Sequence, residues 1–179
     1  LGADGSNSQI ARWSGLRKSW SHDQYVLCAN EDIPYSAQGI ERFYGERFPL
    51  FVSLRFNGMD GYGWVFPKPE YICVGIGGRV GRDTDIRAIV RTFAEKARAA
   101  ELIPSDLTIS DPDYALDPAG AVHKMPTLTK NRTILIGDAG GFVSGRTGEG
   151  IYPGMVSGAI GADVIHDALK TGSTEVRAF

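Results

Sequence analysis

The sequence predicts an α+β fold: a mainly antiparallel β-sheet covered by one helix, followed by a strand–loop–helix element. Three observations lead there. Short runs rich in Val, Phe, Tyr and Ile, separated by Pro, Gly and Asn, fill residues 26–80. A single long amphipathic stretch follows at 84–103. A nearly all-apolar run, "RTILIGD", then opens into a segment with seven glycines between Gly137 and Gly154.

Composition narrows the classes of function. With 179 residues and 42% hydrophobic content the chain can bury a core. Its formal charge of −2 comes with dispersed Lys and Arg, so no basic stripe is available for a phosphate backbone, and nucleic acid is not an expected partner. Cys28 and Cys73 lie in apolar, strand-like runs and are too few for a disulfide scaffold. They read as buried thiols, which points to a reducing, cytoplasmic compartment. No run reaches the roughly 18 apolar residues of a spanning helix, a pattern compatible with peripheral membrane association. The opening Leu1-Gly2-Ala3-Asp4-Gly5 has no initiating Met and no leading strand, and reads as the continuation of a longer protein.

Residues 26–35, 40–48, 50–57, 61–68 and 71–80 read as strands, the last two joined by Lys68-Pro69-Glu70 with the length and proline of a hairpin turn. In 84–103, Ile86, Ile89, Val90, Phe93, Ala97 and Leu102 fall near helical spacing, with Thr84 as N-cap and Pro104 as the stop. A Pro- and Asp-rich connection, 104–120, leads to "RTILIGD", which reads as a buried strand of the parallel type. The final helix, 148–169, carries Gly154, Gly158 and Ala162 four residues apart. Asp163, His166 and Asp167 exclude a membrane-dimer seam, so this small-residue stripe is expected to pack on an element outside the chain.

The glycine segment is the strongest chemical signal. A strand ending in Gly137-Asp138 and a helix entered through Thr147-Gly148-Glu149-Gly150-Ile151 bracket a loop with little side-chain bulk. Unpaired N–H groups at a helix start suit an anionic or electron-rich ligand, and an acid at a strand end can accept from ligand hydroxyls. The P-loop, the G-x-G-x-x-G fingerprint and the G-x-S-x-G elbow all fail to match. A tight turn would account for two or three glycines; seven, with an acid beside them, favour a ligand.

Two motifs carry a family resemblance. "ILIGDAGGFVSGRTGEGI" resembles the Gly-Asp motif of flavoproteins related to p-hydroxybenzoate hydroxylase. "LGADGSNSQIAR", through Ala3, Asp4, Gly5, Ser8 and Arg12, resembles their Asp-Gly motif. Between them, Tyr62-Gly-Trp64-Val-Phe66-Pro67, seven residues and Gly75-Ile-Gly77 are similar to the aromatic signature of the geranylgeranyl reductases within that superfamily.

The resemblance implies an FAD-dependent oxidoreductase that reduces C=C bonds of a polyprenyl lipid or of a quinone or pigment side chain. It implies FAD contacts at Asp4, Gly5, Arg12, Gly137, Asp138, Gly148, Glu149, Gly150 and Ile151. Asp138 would bond the ribityl chain, and residues 148–151 would lie along the pyrimidine edge of the ring. Tyr62, Trp64, Phe66, Pro67, Gly75 and Gly77 would line an apolar channel for the hydrophobic polyprenyl substrate. NADPH or ferredoxin would supply electrons. The proton donor is not identified; His123, Tyr62, Tyr152 and Cys73 are candidates, each with an ordinary structural role as alternative, and no metal site is expected. Residues 1–15 and 127–179 would belong to an FAD-binding domain and 16–126 to a substrate-binding sheet domain. The superfamily's N-terminal dinucleotide fold does not occur in this sequence, so the chain alone is expected to be inactive and to hold little FAD. The alternatives are a flavin-dependent aromatic monooxygenase or halogenase, and a non-catalytic isoprenoid-binding module.

Overall fold

Alternation builds the sheet. In β3 (Asp60–Pro67), Gly63, Val65 and Pro67 are buried, whereas Tyr62, Trp64 and Phe66 point to the opposite, half-buried face. β4 (Tyr71–Arg79) returns antiparallel, with Lys68 N–H bonded to the Tyr71 carbonyl at 2.8 Å across the hairpin. The computed structural model describes residues 1–81, 83–130 and 132–172. The chain divides into two compact units, Val26–Ala115 and the pair of segments Leu1–Tyr25 and Leu116–Phe179. These divisions at 25/26 and 115/116 differ from the 15/16 and 126/127 drawn from sequence.

The unit Val26–Ala115 is the sheet unit. β1 (Val26–Pro34) pairs antiparallel with β4, β2 (Phe51–Leu54) pairs antiparallel with β3, and β5 (Asp113–Asp117) closes the order β2-β3-β4-β1-β5. The predicted α+β class with a mostly antiparallel five-stranded sheet is therefore observed, but with a different membership.

Residues 40–48, expected as a strand, lie largely in the helix α2 (Ala37–Tyr44). Its aromatic content suggests β structure, yet Ser36 caps its start by accepting from Gly39 N–H, and Gly45 ends it at φ 79°. The fifth strand comes instead from 113–117, inside the stretch read as a connection.

The long helix is α3 (Ile86–Ala99), capped by Asp85 rather than Thr84 and stopped by Glu101 at φ 56°, ahead of Pro104. Ile86, Val90, Phe93, Ala94 and Ala97 face the sheet, where Val65, Ile72, Val74 and Ile76 are fully buried. Phe93 meets Phe56 edge-on at 5.1 Å and occupies the space above Gly63, whose absent Cβ would fall 2.6 Å from its ring. Burying such a ring stabilises by about 2–3 kcal/mol.

In the other unit α1 (Gln9–Trp13) is a single short turn of helix near the chain start. β6 (Thr129–Lys130) and β7 (Thr133–Ile134) form a two-stranded antiparallel ribbon, and α4 (Ile151–Thr171) ends the described chain. The run "RTILIGD" is buried as expected at Ile134, Leu135 and Ile136, but its pairing is mixed: antiparallel to β6, with one parallel bridge between Leu135 and Gly2. The sequence reading saw continuous apolarity, which marks two-sided burial without specifying the partner.

The stripe on α4 is also corrected. A Cβ on Gly154 would reach Gly137 at 4.0 Å, and one on Gly158 would reach Ile136 at 3.8 Å, so these small residues pack on this chain's own strand end. Among the described residues no helix is long and apolar enough to cross a membrane.

Candidate functional site

The two flavoprotein-like motifs, more than a hundred residues apart in sequence, meet within one unit. Gly2 N–H donates to the Ile134 carbonyl at 2.7 Å, and Ile136 N–H donates to the Gly2 carbonyl at 2.9 Å. This places the Asp-Gly segment beside the strand that ends in Gly137-Asp138. The approach is close: a Cβ on Gly2 would stand 2.6 Å from Leu135 Cδ2 and 2.9 Å from Ile10 Cγ2, so those side chains would have to shift to admit one.

Asp4 is committed to its own loop. Its carboxylate accepts from Ser8 Oγ, from Gln9 N–H at 2.7 Å and from Ile10 N–H at 3.1 Å, while Ser8 Oγ accepts from Ala11 N–H. Burial opposes ionisation of Asp4, but these donated bonds outweigh it and lower its pKa. Asp4 thus fixes the loop geometry; Gly5 follows at φ 74° and Arg12 is exposed.

Asp138 is the opposite case. It is the second residue of a 3-10 turn, Gly137–Gly140, and its half-buried carboxylate receives no hydrogen bond among the described residues. Burial raises its pKa. Gly137 N–H donates to Ser157 Oγ at 3.0 Å, and Ser157, 2% exposed, donates in turn to the Gly154 carbonyl, which locks α4 to the strand end.

Asp117 adds a second carboxyl to this neighbourhood. One of its oxygens is buried without a donor, and burial together with the Asp138 charge pushes its pKa up to about 6. Neither Ser157 nor Asp117 was singled out in the sequence; Asp117 lay in a Pro- and Asp-rich stretch that resembles a solvated loop.

The glycines of the segment serve different needs. Gly137, Gly141 and Gly148 adopt φ of 52°, 78° and 69°, which side chains rarely take. Gly140, Gly141 and Gly145 are closed off by this chain's own Phe142, Ala121 and Gly120, so the fold of the turn alone requires them. Gly150 is different: a Cβ there would stand 3.2 Å from Val143 and 3.4 Å from Asp138 Oδ1, so the helix start approaches the Asp138 carboxylate. Glu149 is exposed and accepts from Tyr152 N–H at 2.7 Å, capping α4, while Ile151 is 78% exposed.

The aromatic signature occupies one face of the sheet unit. Register pairs Tyr62 with Gly77, Trp64 with Gly75 and Phe66 with Cys73, which puts these side chains on the face opposite α3. Pro67 is the exception among the predicted channel residues, being buried on the α3 face.

The glycines are explained by the tryptophan. A Cβ on Gly75 would fall 2.3 Å from Trp64 Cζ2, and one on Gly77 would fall 3.4 Å from Trp64 Cζ3, so the indole lies across both. Phe66 stacks beside it at 6.1 Å and 22°, Tyr62 lies at 5.7 Å, and Val52 and Leu54 extend the apolar face, exposed by 51% and 77%. Trp64 Nε1 donates to Cys73 Sγ at 3.4 Å. Burial is the main cause that pushes this thiol up to about 11; Trp64 acts against it and Asp32 adds to it. Cys28 and Cys73 are half-buried rather than buried thiols. Of the other proton-donor candidates, His123 and Tyr152 are exposed and Tyr62 is half-buried.

No family model matches the chain. It is 31% identical over 176 residues to the chloroplastic geranylgeranyl diphosphate reductase of Oryza sativa, covering 98% of this chain and 35% of that protein. It is 30% identical over 187 residues to the digeranylgeranylglycerophospholipid reductase of Methanothrix thermoacetophila, covering all of this chain and 43% of that protein. The chain therefore spans well under half the length of these relatives. A solved structure, a geranylgeranyl bacteriochlorophyll reductase-like protein of Thermoplasma acidophilum, shares the fold, with TM-score 0.77 and 21% identity over 97% of this chain and 42% of that one. Along its whole length the chain is similar to part of these geranylgeranyl diphosphate and digeranylgeranylglycerophospholipid reductases.

Proposed function

We propose that the protein takes part in the FAD-dependent reduction of C=C bonds in a polyprenyl lipid or in the isoprenoid side chain of a quinone or pigment. The observation that carries this reading is the Asp138 carboxylate, half-buried and without a donor in the turn where the two motifs meet. A carboxyl taken partly from water without a partner costs stability, and ligand hydroxyls such as those of a ribityl chain offset that cost.

The donor set fits the cofactor. Asp138 and the neighbouring Asp117 offer acceptor oxygens, Asp4 holds the Asp-Gly loop in place, and the start of α4 at Gly150 and Ile151 brings backbone N–H groups and a partial positive charge. FAD, if bound and reduced, would supply a hydride for one alkene carbon, the other carbon taking a proton. The sheet face of Tyr62, Trp64 and Phe66, with Val52 and Leu54 beside it, offers apolar area without polar demands, which is what a polyprenyl chain requires. Trp64 is held flat by Gly75 and Gly77, so this surface is ordered before any substrate arrives.

The test is reductase assay of the protein expressed from its complete gene, without oxygen, with FAD and either NADPH or reduced ferredoxin. Mass spectrometry of geranylgeranyl diphosphate and of an archaeal-type digeranylgeranyl glycerolipid should show hydrogen pairs gained at the isoprenoid double bonds. Oxygen-dependent hydroxylation of an aromatic compound, with the polyprenyl compounds unchanged, would overturn the reading.

A further inference from the structure

Arg17 is only 7% exposed, yet no carboxylate among the described residues pairs with it, and its Nε is a buried donor without an acceptor. Its guanidinium lies 3.5 Å from the centre of the Trp20 ring, and Trp20 Nε1 donates to the Ser6 carbonyl at 2.7 Å. Arg17 Nη2 donates to the Ala139 carbonyl at 3.1 Å. Burial, followed by the like charge of Arg12, lowers its pKa, with Asp4 acting the other way.

As a device for stability this is a poor choice. A buried charge without a carboxylate partner is expensive to take from water. What the charge does hold is the peptide after Asp138. The Ala139 carbonyl is drawn toward Arg17, while the N–H of the same peptide, on Gly140, points to the Ile136 carbonyl at 3.4 Å. Gly141 N–H closes the turn on the Asp138 carbonyl at 3.1 Å. The direction of the Asp138 side chain follows from that turn.

We propose that Arg17 is a positioning residue: it spans from the Asp-Gly segment to the Ala139 carbonyl and orders the Gly137–Gly140 turn, so that the Asp138 carboxylate is presented to a polyhydroxylated, phosphate-bearing ligand. The inference rests on the flavin reading above for the identity of that ligand, but not for the ordering itself. Arg17 acts through Ala139 and touches no ligand.

The experiment uses the protein expressed from its complete gene, as wild type, Arg17→Met and Arg17→Lys, with FAD as the probe. Arg17→Met should exchange the Gly140 and Gly141 amides faster without ligand and bind FAD about tenfold more weakly, through the loss of order in the turn. Arg17→Lys, which keeps a charged donor, should fall between the two. Amide exchange unchanged in Arg17→Met overturns the proposal, as does a fall in melting temperature with FAD affinity unchanged. If the wild type binds no FAD, the flavin reading fails, and the amide exchange of Gly140 and Gly141 still decides the role of Arg17.

Discussion

The sheet unit and the glycine-turn unit treat their motif residues in opposite ways. In the sheet, the aromatic signature is satisfied from within: Trp64 covers Gly75 and Gly77, stacks with Phe66 and donates to Cys73. In the turn, Asp138 has no donor among the described residues, one Asp117 oxygen is buried without a partner, and Arg17 Nε has no acceptor; the sheet unit holds one such group too, Arg87 Nε, but away from its aromatic signature. A motif that completes itself reports on packing, whereas one that leaves polar groups wanting reports on a ligand. The turn thus carries the stronger argument for binding, although the aromatic string is the more distinctive text.

The comparison can be broken by mutation, starting where the effect is largest. Phe93→Ala empties the space above Gly63 and beside Phe56, and should cost about 3–5 kcal/mol in chemical denaturation. A loss below about 1 kcal/mol would mean that this core is not what holds the sheet. Gly75→Val is next: its Cβ would overlap the Trp64 indole, so about 1–3 kcal/mol should be lost and the tryptophan emission should shift toward that of an exposed indole. An unaltered spectrum would show that the indole does not rest on Gly75.

A smaller effect with a distinct sign belongs to Asp117. Its folded-state pKa of about 6 lies above its ordinary 3.8, so the folded protein holds that proton more tightly than the unfolded chain. Stability from the neutral carboxyl is full below the unfolded value and is lost as pH rises through about 6. Asp117→Asn should therefore match the wild type near pH 4 and exceed it at neutral pH by ~1 kcal/mol, once partial exposure is allowed for. Parallel stability curves across that range would contradict the assignment.

How far the sequence reached follows the same division. Hairpin β3–β4 and helix α3 were legible because local signals agreed: alternation, a proline turn and helical spacing, although the cap is Asp85 and not the expected Thr84. Segment 40–48 was misread because Phe43 and Tyr44 suggest β structure, while Ser36 and Gly45, the two caps, decide for a helix. β5 was hidden because "DYALD" has turn-like composition and becomes a strand through tertiary pairing at the sheet edge.

Asp138 could be picked out as an acid at a strand end. Arg17 could not: it is one of 19 Lys and Arg residues, and only the packing of Trp20 and the Ala139 carbonyl distinguishes it. The small residues of α4 were seen, but their partner, Gly137 and Ile136 of the same chain, is a tertiary fact that spacing does not contain.

The central claim is that the unpartnered Asp138 carboxylate is held for FAD. Fluorescence titration of FAD into the protein expressed from its complete gene, wild type against Asp138→Ala, tests it most directly. The account predicts saturable binding to the wild type, at least about tenfold weaker binding to the variant, and an equal or higher melting temperature for the ligand-free variant, because no hydrogen bond to protein is lost. Equal FAD affinity in the two proteins, or a variant that unfolds while its remaining folded fraction binds normally, would contradict it.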